Sequence, residues 1–233
     1  MSVRIAKFIA DSGAASRRAA ENLIASGAVA VNGNVIDSPV CFINPETDII
    51  TINGDVVAPR AASELYAFYK PLNTMTTTSD PNGRRTIYDC LGKEYWHLKY
   101  VGRLDYRTTG LLLMTNDGEL ARKLSLPASH IPRMYIATVN GTNMRGLDAA
   151  RRGISVDGIT YRPMIIEELG DNNLRVIVDE GKKNEVRIVL RACKLPVRKL
   201  HRVSFGPIEL GDMKVGEIRK LSQKTIDAVL KSL

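Results

Sequence analysis

The sequence is poor in the features that mark secreted and membrane-bound proteins. Its three cysteines, Cys41, Cys90 and Cys193, lie far apart and are odd in number, so they do not make a disulfide framework. No run approaches the roughly 18 apolar residues that a membrane span needs, and the N-terminus lacks the apolar core of a signal peptide. We therefore expect a soluble, cytoplasmic protein with no membrane partner.

Several common catalytic motifs are also missing. The sequence contains no GxxxxGK[ST] phosphate loop, no strand-linked GxGxxG and no GxSxG. The histidines at 97, 130 and 201 show no metal-ligand spacing with the cysteines. An enzyme built on this chain is therefore expected to need no metal or cofactor and to rely on carboxylate, arginine and tyrosine side chains.

Basic charge is concentrated near the C-terminal end. The 233 residues carry a formal net charge of +8. Residues 1–181 hold 20 Lys and Arg against 20 Asp and Glu, whereas residues 182–233 hold 13 against 5. Such a segment favours a polyanionic partner, although a solvated, solubilising face would have the same composition.

The length exceeds one average domain and favours two modules. The segment VAPRAAS, at residues 57–63, contains Pro59 and lacks periodicity, so we place a boundary near residue 60. We predict an α+β fold class: a small α+β module at residues 1–60, followed at residues 61–233 by a domain built on a mainly antiparallel sheet.

The first module is predicted to contain two short helices followed by small strands. Apolar residues fall on one face of a helix that ends near Gly13, and Ser16 is predicted to cap a second helix that ends at Gly27. The Asn-Gly pairs at 32–33 and 53–54 predict tight turns between short strands. The apolar face of the first helix consists of Val3, Ile5, Phe8 and Ile9.

Arg17 and Arg18 would occupy the first turn of the second helix, where cations oppose the positive helix end. They either join the helix N-terminus in binding nucleic-acid phosphate or are merely exposed. The run RIAKFIADSGAASRRAAENLIASGAVAVNGNVI, at residues 4–36, resembles the small RNA-binding domain named after ribosomal protein S-four. That resemblance implies binding of structured RNA. The residues that would make the contacts are Arg4, Lys7, Ser16, Arg17 and Arg18.

The second module reads as strands with interspersed helices. Residues 111–114 are continuously apolar and predict a buried strand, followed by a helix over residues 119–124. A polar loop is predicted over residues 73–91. Further strands are predicted at 65–69, 135–139 and 174–178, and a further helix from about residue 184.

Asp105 lies on a glycine-flanked loop just before the apolar strand, between Arg103 and Arg107. Loops held by a rigid scaffold often carry catalytic groups. From this segment alone, an aspartate that supports a turn or a local ion pair is the simpler interpretation.

The run GRLDYRTTGLLLMTNDGEL, at residues 102–120, resembles the signature of one family of rRNA pseudouridine synthases, which comprises the small-ribosomal type A enzymes and the large-ribosomal types B, E and F. The resemblance covers nearly the whole chain. Further matches are Tyr69-Lys70-Pro71, Arg133-Met134-Tyr135, Glu180-Gly181 through Glu185-Val186-Arg187, and Leu200-His201-Arg202 with the following FGPIEL. Ile188 and the pair Lys182-Lys183 depart from the family pattern.

The resemblance implies a role for each matched residue. Asp105 would be the catalytic carboxylate for isomerising uridine in RNA, without a cofactor. Arg187 would pair with Asp105 and keep it ionised, and Tyr135 would stack on the flipped uracil. Residues Arg103, Leu104 and Leu200 would shape the substrate pocket. The implied RNA contacts in this module are Lys70, Arg84, Arg85, Lys182, Lys183 and Arg202.

The loop DPNGRRTIYDCL, at residues 80–91, resembles the family members that modify large-subunit rRNA more than those that modify small-subunit rRNA. We therefore expect the partner to be rRNA, with large-subunit (23S) rRNA favoured, or a pre-ribosomal particle, and the protein to be a monomer. Arg84 and Arg85 would then contact RNA, unless they form a solvated turn. The alternative function is a catalytically silent RNA-binding or ribosome-assembly factor on the same fold.

Overall fold

A computed structural model describes residues 2–58, 62–141 and 144–231. The chain divides into two compact units, residues 1–63 with 116–118 and residues 64–115 with 119–233. The boundary that we predicted near residue 60 falls at residues 59–61, outside the described residues. Within the described ranges, no helix is both long enough and apolar enough to cross a membrane.

The first unit begins with the two predicted helices. Its elements are β1 (Val3–Arg4), α1 (Ile5–Ser12), α2 (Arg17–Ala25), β2 (Val29–Val31), β3 (Asn34–Ile36), β4 (Phe42–Ile43), β5 (Ile50–Ile52) and β6 (Asp55–Val56). The Ser16 hydroxyl accepts a hydrogen bond from the Ala19 backbone N–H at 3.2 Å, which confirms the predicted cap of α2. Val3 was wrongly included in the first helix, because it pairs with Ile43 as a strand residue.

Two hairpin turns organise the sheet of the first unit. Asn32 and Gly33 have φ values of 51° and 83°, and Asn53 and Gly54 have values of 51° and 91°. Both central residues of each turn are therefore left-handed, as the Asn-Gly pairs predicted. The strand order is β3-β2-β5-β6. The buried side chains between helices and strands include Ile5, Ile9, Ile24, Val29 and Ile50.

The rest of the chain is built around one large sheet. The strands in this part of the chain are β7 (Leu65–Lys70), β8 (Lys99–Val101), β9 (Thr108–Thr115), β10 (Arg133–Val139), β11 (Ile154–Val156), β12 (Ile159–Tyr161), β13 (Ile165–Gly170), β14 (Asn173–Val178), β15 (Val197–Phe205), β16 (Ile208–Glu209) and β17 (Ile218–Lys220). Of these, β11 and β12 pair with each other in a separate two-stranded sheet. The α-helices of this part are α3 (Gly118–Ser125), α4 (Leu147–Arg152), α5 (Glu185–Ala192) and α6 (Gln223–Lys231). Short 3-10 helices span Tyr88–Cys90, Lys93–Tyr95, Pro127–Ser129 and Met144–Gly146.

The large sheet has the order β13-β14-β10-β15-β9-β7-β17, with β16 beside β15 and β8 beside β9. Among the described residues, β9 and β15 form its one parallel pair, and the other pairs are antiparallel. This arrangement confirms the predicted α+β fold with a mainly antiparallel sheet.

Strand β9 is buried on both faces, which explains its continuous apolar run. Leu112 and Met114 belong to one hydrophobic core, whereas Leu111 and Leu113 belong to the core on the opposite face. The core that contains Leu112 also contains residues of α5, β10 and β15. The start of β9 is therefore held between two well-packed layers, and the loop before it is attached to a rigid base.

Candidate active site

A cleft of about 920 Å³ lies where the loop before β9 meets β10, β15 and the start of α5. The three residues predicted to be catalytic, Asp105, Tyr135 and Arg187, all line it. The predicted pocket residues Arg103, Leu104 and Leu200 line it as well. Four different elements, distant in the sequence, thus bring the predicted catalytic and pocket residues to one place.

The loop that carries Asp105 is fixed by hydrogen bonds on both sides. The Thr108 N–H donates to the Asp105 carbonyl oxygen at 3.0 Å and closes a turn. The Thr76 hydroxyl donates to the Leu104 carbonyl oxygen at 2.8 Å, and the Leu104 side chain is buried. These bonds hold the backbone of Asp105 in one position at the edge of the cleft.

Burial raises the pKa of Asp105 above its ordinary value, and the positive charges of Arg187 and Arg103 oppose that rise. Arg187 donates hydrogen bonds to the carbonyl oxygens of Val197 at 3.2 Å and Arg107 at 2.7 Å. In the described part of the chain, no ion pair joins Arg187 to Asp105. The predicted direct pair is therefore wrong in this structure: Arg187 acts on Asp105 through space, and burial outweighs it.

Tyr135 and the apolar residues around it form one wall of the cleft. Tyr135 is 8% exposed and lies opposite Arg202 in the register of β10 and β15. Leu104 and Leu200 are buried beside the cleft. A flat aromatic side chain next to aliphatic ones can receive a planar base and exclude water from it.

Two predicted RNA contacts, Lys70 and Arg202, lie in the protein interior instead. Lys70 is completely buried and donates to the carbonyl oxygens of Pro71 at 3.0 Å and Thr108 at 2.9 Å. Burial lowers the pKa of Lys70 to about 8. Arg202 is 2% exposed and its Nε donates to the Leu111 carbonyl oxygen at 2.6 Å. Neither residue is therefore exposed enough to contact RNA phosphate at the protein surface.

A glycine allows Arg202 to lie where it does. Gly110 of β9 has a φ of 106°, and a Cβ there would collide with the backbone of Arg202. The absence of a side chain thus lets β9 and β15 approach closely beside the cleft.

Two further charged residues of the cleft, Arg133 and Glu185, had no predicted role in the site. The Glu185 carboxylate accepts hydrogen bonds from the backbone N–H groups of Gly181 at 2.9 Å and Lys182 at 3.0 Å. Burial, with the nearby Glu180 charge, raises the pKa of Glu185 to about 7. Arg133 donates to the Asp179 carbonyl oxygen at 3.0 Å. Both residues lie in recognised sequence matches, but only the fold shows that their side chains are buried in the cleft wall.

The cleft has a strong excess of positive charge. Nine basic residues line it against two carboxylates, Asp105 and Glu185. Such a surface attracts a polyanion. The nine are Arg84, Arg103, Arg107, Arg133, Lys182, Lys183, Arg187, Arg191 and Arg202.

The predicted RNA contacts at the cleft differ in whether other groups of the protein already bind their side chains. Arg84 is exposed, but Asp80 holds its guanidinium through hydrogen bonds of 3.0 and 2.6 Å. Lys182 donates to the Thr160 carbonyl oxygen at 2.8 Å. Lys183 is exposed, and Arg85 is exposed but is not among the lining residues.

The predicted RNA contacts of the first unit lie on β1, α1 and the start of α2. Arg4, Ser16, Arg17 and Arg18 are exposed, and Lys7 is partly buried. The Arg4 guanidinium lies over the Phe42 ring, 5.7 Å from its centroid. Arg17 and Arg18 occupy the first turn of α2, as predicted.

Comparisons with known proteins identify a family for each of the two parts of the chain. The family model for RNA pseudouridylate synthase matches residues 64–192, and the model for the S4 domain matches residues 3–40. An RNA pseudouridine synthase of Aquifex aeolicus, named as uncharacterized, is 37% identical over the whole of this chain and 96% of its own length. A similarly named protein of Rickettsia conorii is 34% identical over 96% of this chain and 98% of its own.

A solved structure leads to the same family. The crystal structure of a pseudouridylate synthase superimposes with a TM-score of 0.70 and 28% identity, and the match covers 97% of this chain and 99% of that one. The chain belongs to the RNA pseudouridine synthase family and carries an S4 RNA-binding domain at its N-terminal end. It is an isomerase that acts on uridine in RNA, which favours the enzyme over the silent assembly factor.

Proposed function

We propose that this enzyme converts one uridine, or a few adjacent ones, of rRNA to pseudouridine, with Asp105 as the catalytic carboxylate. The reaction moves the ribose carbon C1′ from N1 to C5 of the uracil and exchanges the C5 proton for one on N1. It therefore needs no net oxidant, reductant or added group. The observation that carries the proposal is the fixed, half-buried Asp105 in a cleft lined by nine basic side chains.

The proposed roles follow from the environment of each residue. Asp105 attacks the target nucleotide, and its position in a fixed turn preorganises that attack. Arg187 favours the ionised form of Asp105 through space, against the effect of burial. Tyr135 stacks on the flipped uracil, while Leu104 and Leu200 exclude water.

RNA backbone contacts are proposed at two surfaces. At the cleft, the exposed cations Arg84, Arg103, Lys182 and Lys183 reach phosphates beside the target base, and Arg85, which follows Arg84 but lies outside the cleft lining, contacts RNA next to them. In the first unit, the proposed contacts are Arg4, Lys7, Ser16, Arg17 and Arg18. We also retain the division into an RNA-binding domain at residues 1–60 and a catalytic domain at 61–233, acting as a cytoplasmic monomer. Sedimentation of the purified protein with and without RNA would test the monomer.

The favoured target is large-subunit rRNA, or a pre-ribosomal particle that contains it. A uridine in a hairpin loop or at a stem end suits the cleft, because an unpaired base is easiest to flip. The test is to incubate the purified protein with each rRNA separately and to map pseudouridine. We expect modification of large-subunit rRNA at one site or a few adjacent ones. Modification confined to small-subunit rRNA would overturn the target while leaving the isomerase activity intact.

A further inference from the structure

Unpaired polar atoms gather at the cleft. Among the described residues, three enclosed side-chain atoms have no hydrogen-bond partner: Thr108 Oγ1, Arg187 Nε and Arg202 Nη2. All three residues line the cleft. Enclosed polar groups are almost always paired in native proteins, and an unpaired one reduces stability. Their occurrence together indicates that a bound ligand completes the hydrogen bonding.

Thr108 is held rigidly while its hydroxyl has no partner. The residue is 1% exposed, its N–H donates to the Asp105 carbonyl oxygen, and its own carbonyl oxygen accepts from Lys70. It also lies opposite Leu200 in the parallel register of β9 and β15. The backbone of Thr108 is therefore fully used, and the position of its side chain is set by the same turn that fixes Asp105.

Arg202 is a buried cation in the same part of the cleft. Its guanidinium lies 5.4 Å from the centroid of the Phe205 ring, and it is the register partner of Tyr135 on the neighbouring strand. In the part of the chain that the structure describes, no carboxylate forms an ion pair with it. A buried charge without a counter-ion is costly, so the position favours a ligand that carries or develops negative charge.

We propose that Thr108 and Arg202 form the floor of the base pocket, where they bind the carbonyl edge of the target uracil and stabilise the negative charge on the detached ring. This inference rests on the proposed function. When the N1–C1′ bond breaks, its electron pair stays on the uracil, and an Asp105 oxygen bonds to C1′. The negative charge spreads over N1 and the two carbonyl oxygens of the ring.

The pair would act on that charge in a site from which water is excluded. Arg202 supplies the cation and Thr108 a neutral donor, both placed before the charge develops. Reattachment consumes the electron pair: the C1′–C5 bond forms, the bond to Asp105 breaks, and the C5 proton is exchanged for one on N1. The ring is then neutral again, and the product binds the floor less tightly than the detached ring does.

Thr108→Val is the sharpest test, because the hydroxyl makes no bond within the described protein. The variant should unfold at the same temperature as wild type or higher, while its single-turnover rate on bound RNA falls about tenfold. A wild-type rate would overturn the role of Thr108. A lower unfolding temperature would also contradict the proposal, since it would show that the hydroxyl serves the protein itself.

The role of Arg202 is tested with two substrates, RNA that contains uridine and RNA that contains 5-fluorouridine at the target. Fluorine withdraws electrons and stabilises the detached ring, so the fluorinated base should depend less on Arg202. We expect Arg202→Met to slow N1–C1′ cleavage of uridine about 100-fold and that of 5-fluorouridine about tenfold or less. Equal losses on both substrates would overturn the role in charge stabilisation.

Two companion variants keep the result interpretable. Arg202→Lys retains the charge but not the geometry, and should show a smaller loss with the same substrate dependence even if Arg202→Met fails to fold. Arg198→Met removes an exposed cation from the same strand and should leave both rates unchanged. If wild type forms no pseudouridine on rRNA, the proposed function fails. If wild type is active and Thr108→Val matches it, this inference alone fails.

Discussion

Basic residues occur both in the cleft and in the first unit, but burial gives them different properties. Arg202 in the cleft and Lys70, which donates to the carbonyl oxygen of the cleft residue Thr108, are almost fully enclosed, and both donate to backbone carbonyl oxygens. In the first unit, Arg17 and Arg18 are exposed on the first turn of a helix. The same residue types therefore meet very different solvent environments.

That difference separates chemistry from binding. A charge in a site from which water is excluded acts strongly on a reacting group, whereas an exposed charge is screened by salt within about 8–10 Å. Removing Asp105, Arg187 or Arg202 from the cleft should therefore change the rate on bound RNA. Removing exposed residues of the first unit should change affinity and its salt dependence instead.

The largest effect is expected from Asp105→Asn. The change is nearly isosteric, but it removes the anionic oxygen that attacks the nucleotide. Single-turnover isomerisation should fall at least about 1,000-fold, with RNA affinity within about threefold of wild type. Asp157→Asn, in an exposed turn, is the matched control and should have no effect.

Arg187→Ala should come next, with a rate loss of about 100-fold and little change in RNA affinity. It should also change the pH profile. Activity requires ionised Asp105 and so falls as the pH drops through the pKa of that carboxyl, which Arg187 lowers. The variant should therefore lose activity at a higher pH than wild type does. Weaker RNA binding with an unchanged single-turnover rate would identify Arg187 as a phosphate contact instead.

Replacing both Arg17 and Arg18 with Ala should weaken RNA binding without changing the rate on bound substrate. Each lost phosphate contact should reduce the slope of log affinity against log salt by about 0.7–0.9. The control is Lys224→Ala with Lys231→Ala, which removes two exposed cations from α6. An unchanged slope in the arginine variant would mean that these residues are merely exposed.

The smallest effect on activity is expected from Glu185→Gln. This variant should instead change the pH dependence of folding stability. The pKa of Glu185 in the folded protein, about 7, lies above its ordinary 4.5. Protonated Glu185 therefore stabilises the folded protein fully below about pH 4.5, and this stabilisation is lost as the pH rises through about 7. The free energy of unfolding of the variant should exceed that of wild type by on the order of 2 kcal/mol at pH 8 and by much less at pH 5. Urea unfolding of both proteins at pH 8 and pH 5 measures this difference in stability. An equal difference at the two pH values would contradict the prediction.

Local sequence patterns predicted the elements well where one physical cause dominates. The Asn-Gly turns, the Ser16 cap and the double-buried run of β9 were all confirmed. The α+β class and the mainly antiparallel sheet were confirmed as well. Such features depend on neighbouring residues, so they can be recognised without the fold.

The environment of the site could not be predicted in the same way. Lys70 and Arg202 were expected to contact RNA, and only the packing of β7, β9 and β15 shows that they are buried. The direct pair of Arg187 with Asp105 was also wrong, because Arg187 bonds to two carbonyl oxygens instead. Side-chain burial and pairing depend on strands that are far apart in the sequence, so a motif identifies the residue but not its surroundings.

The most direct test is tritium release from rRNA that carries label at C5 of uridine, measured with wild type and Asp105→Asn side by side. Isomerisation replaces the C5 proton, so each converted uridine releases one label. We predict that wild type releases tritium until the amount per rRNA molecule equals the number of target sites. Asp105→Asn should release none above background. Equal release by both proteins, or none by wild type on either rRNA, would contradict the assignment of this cleft as the site of rRNA pseudouridine formation.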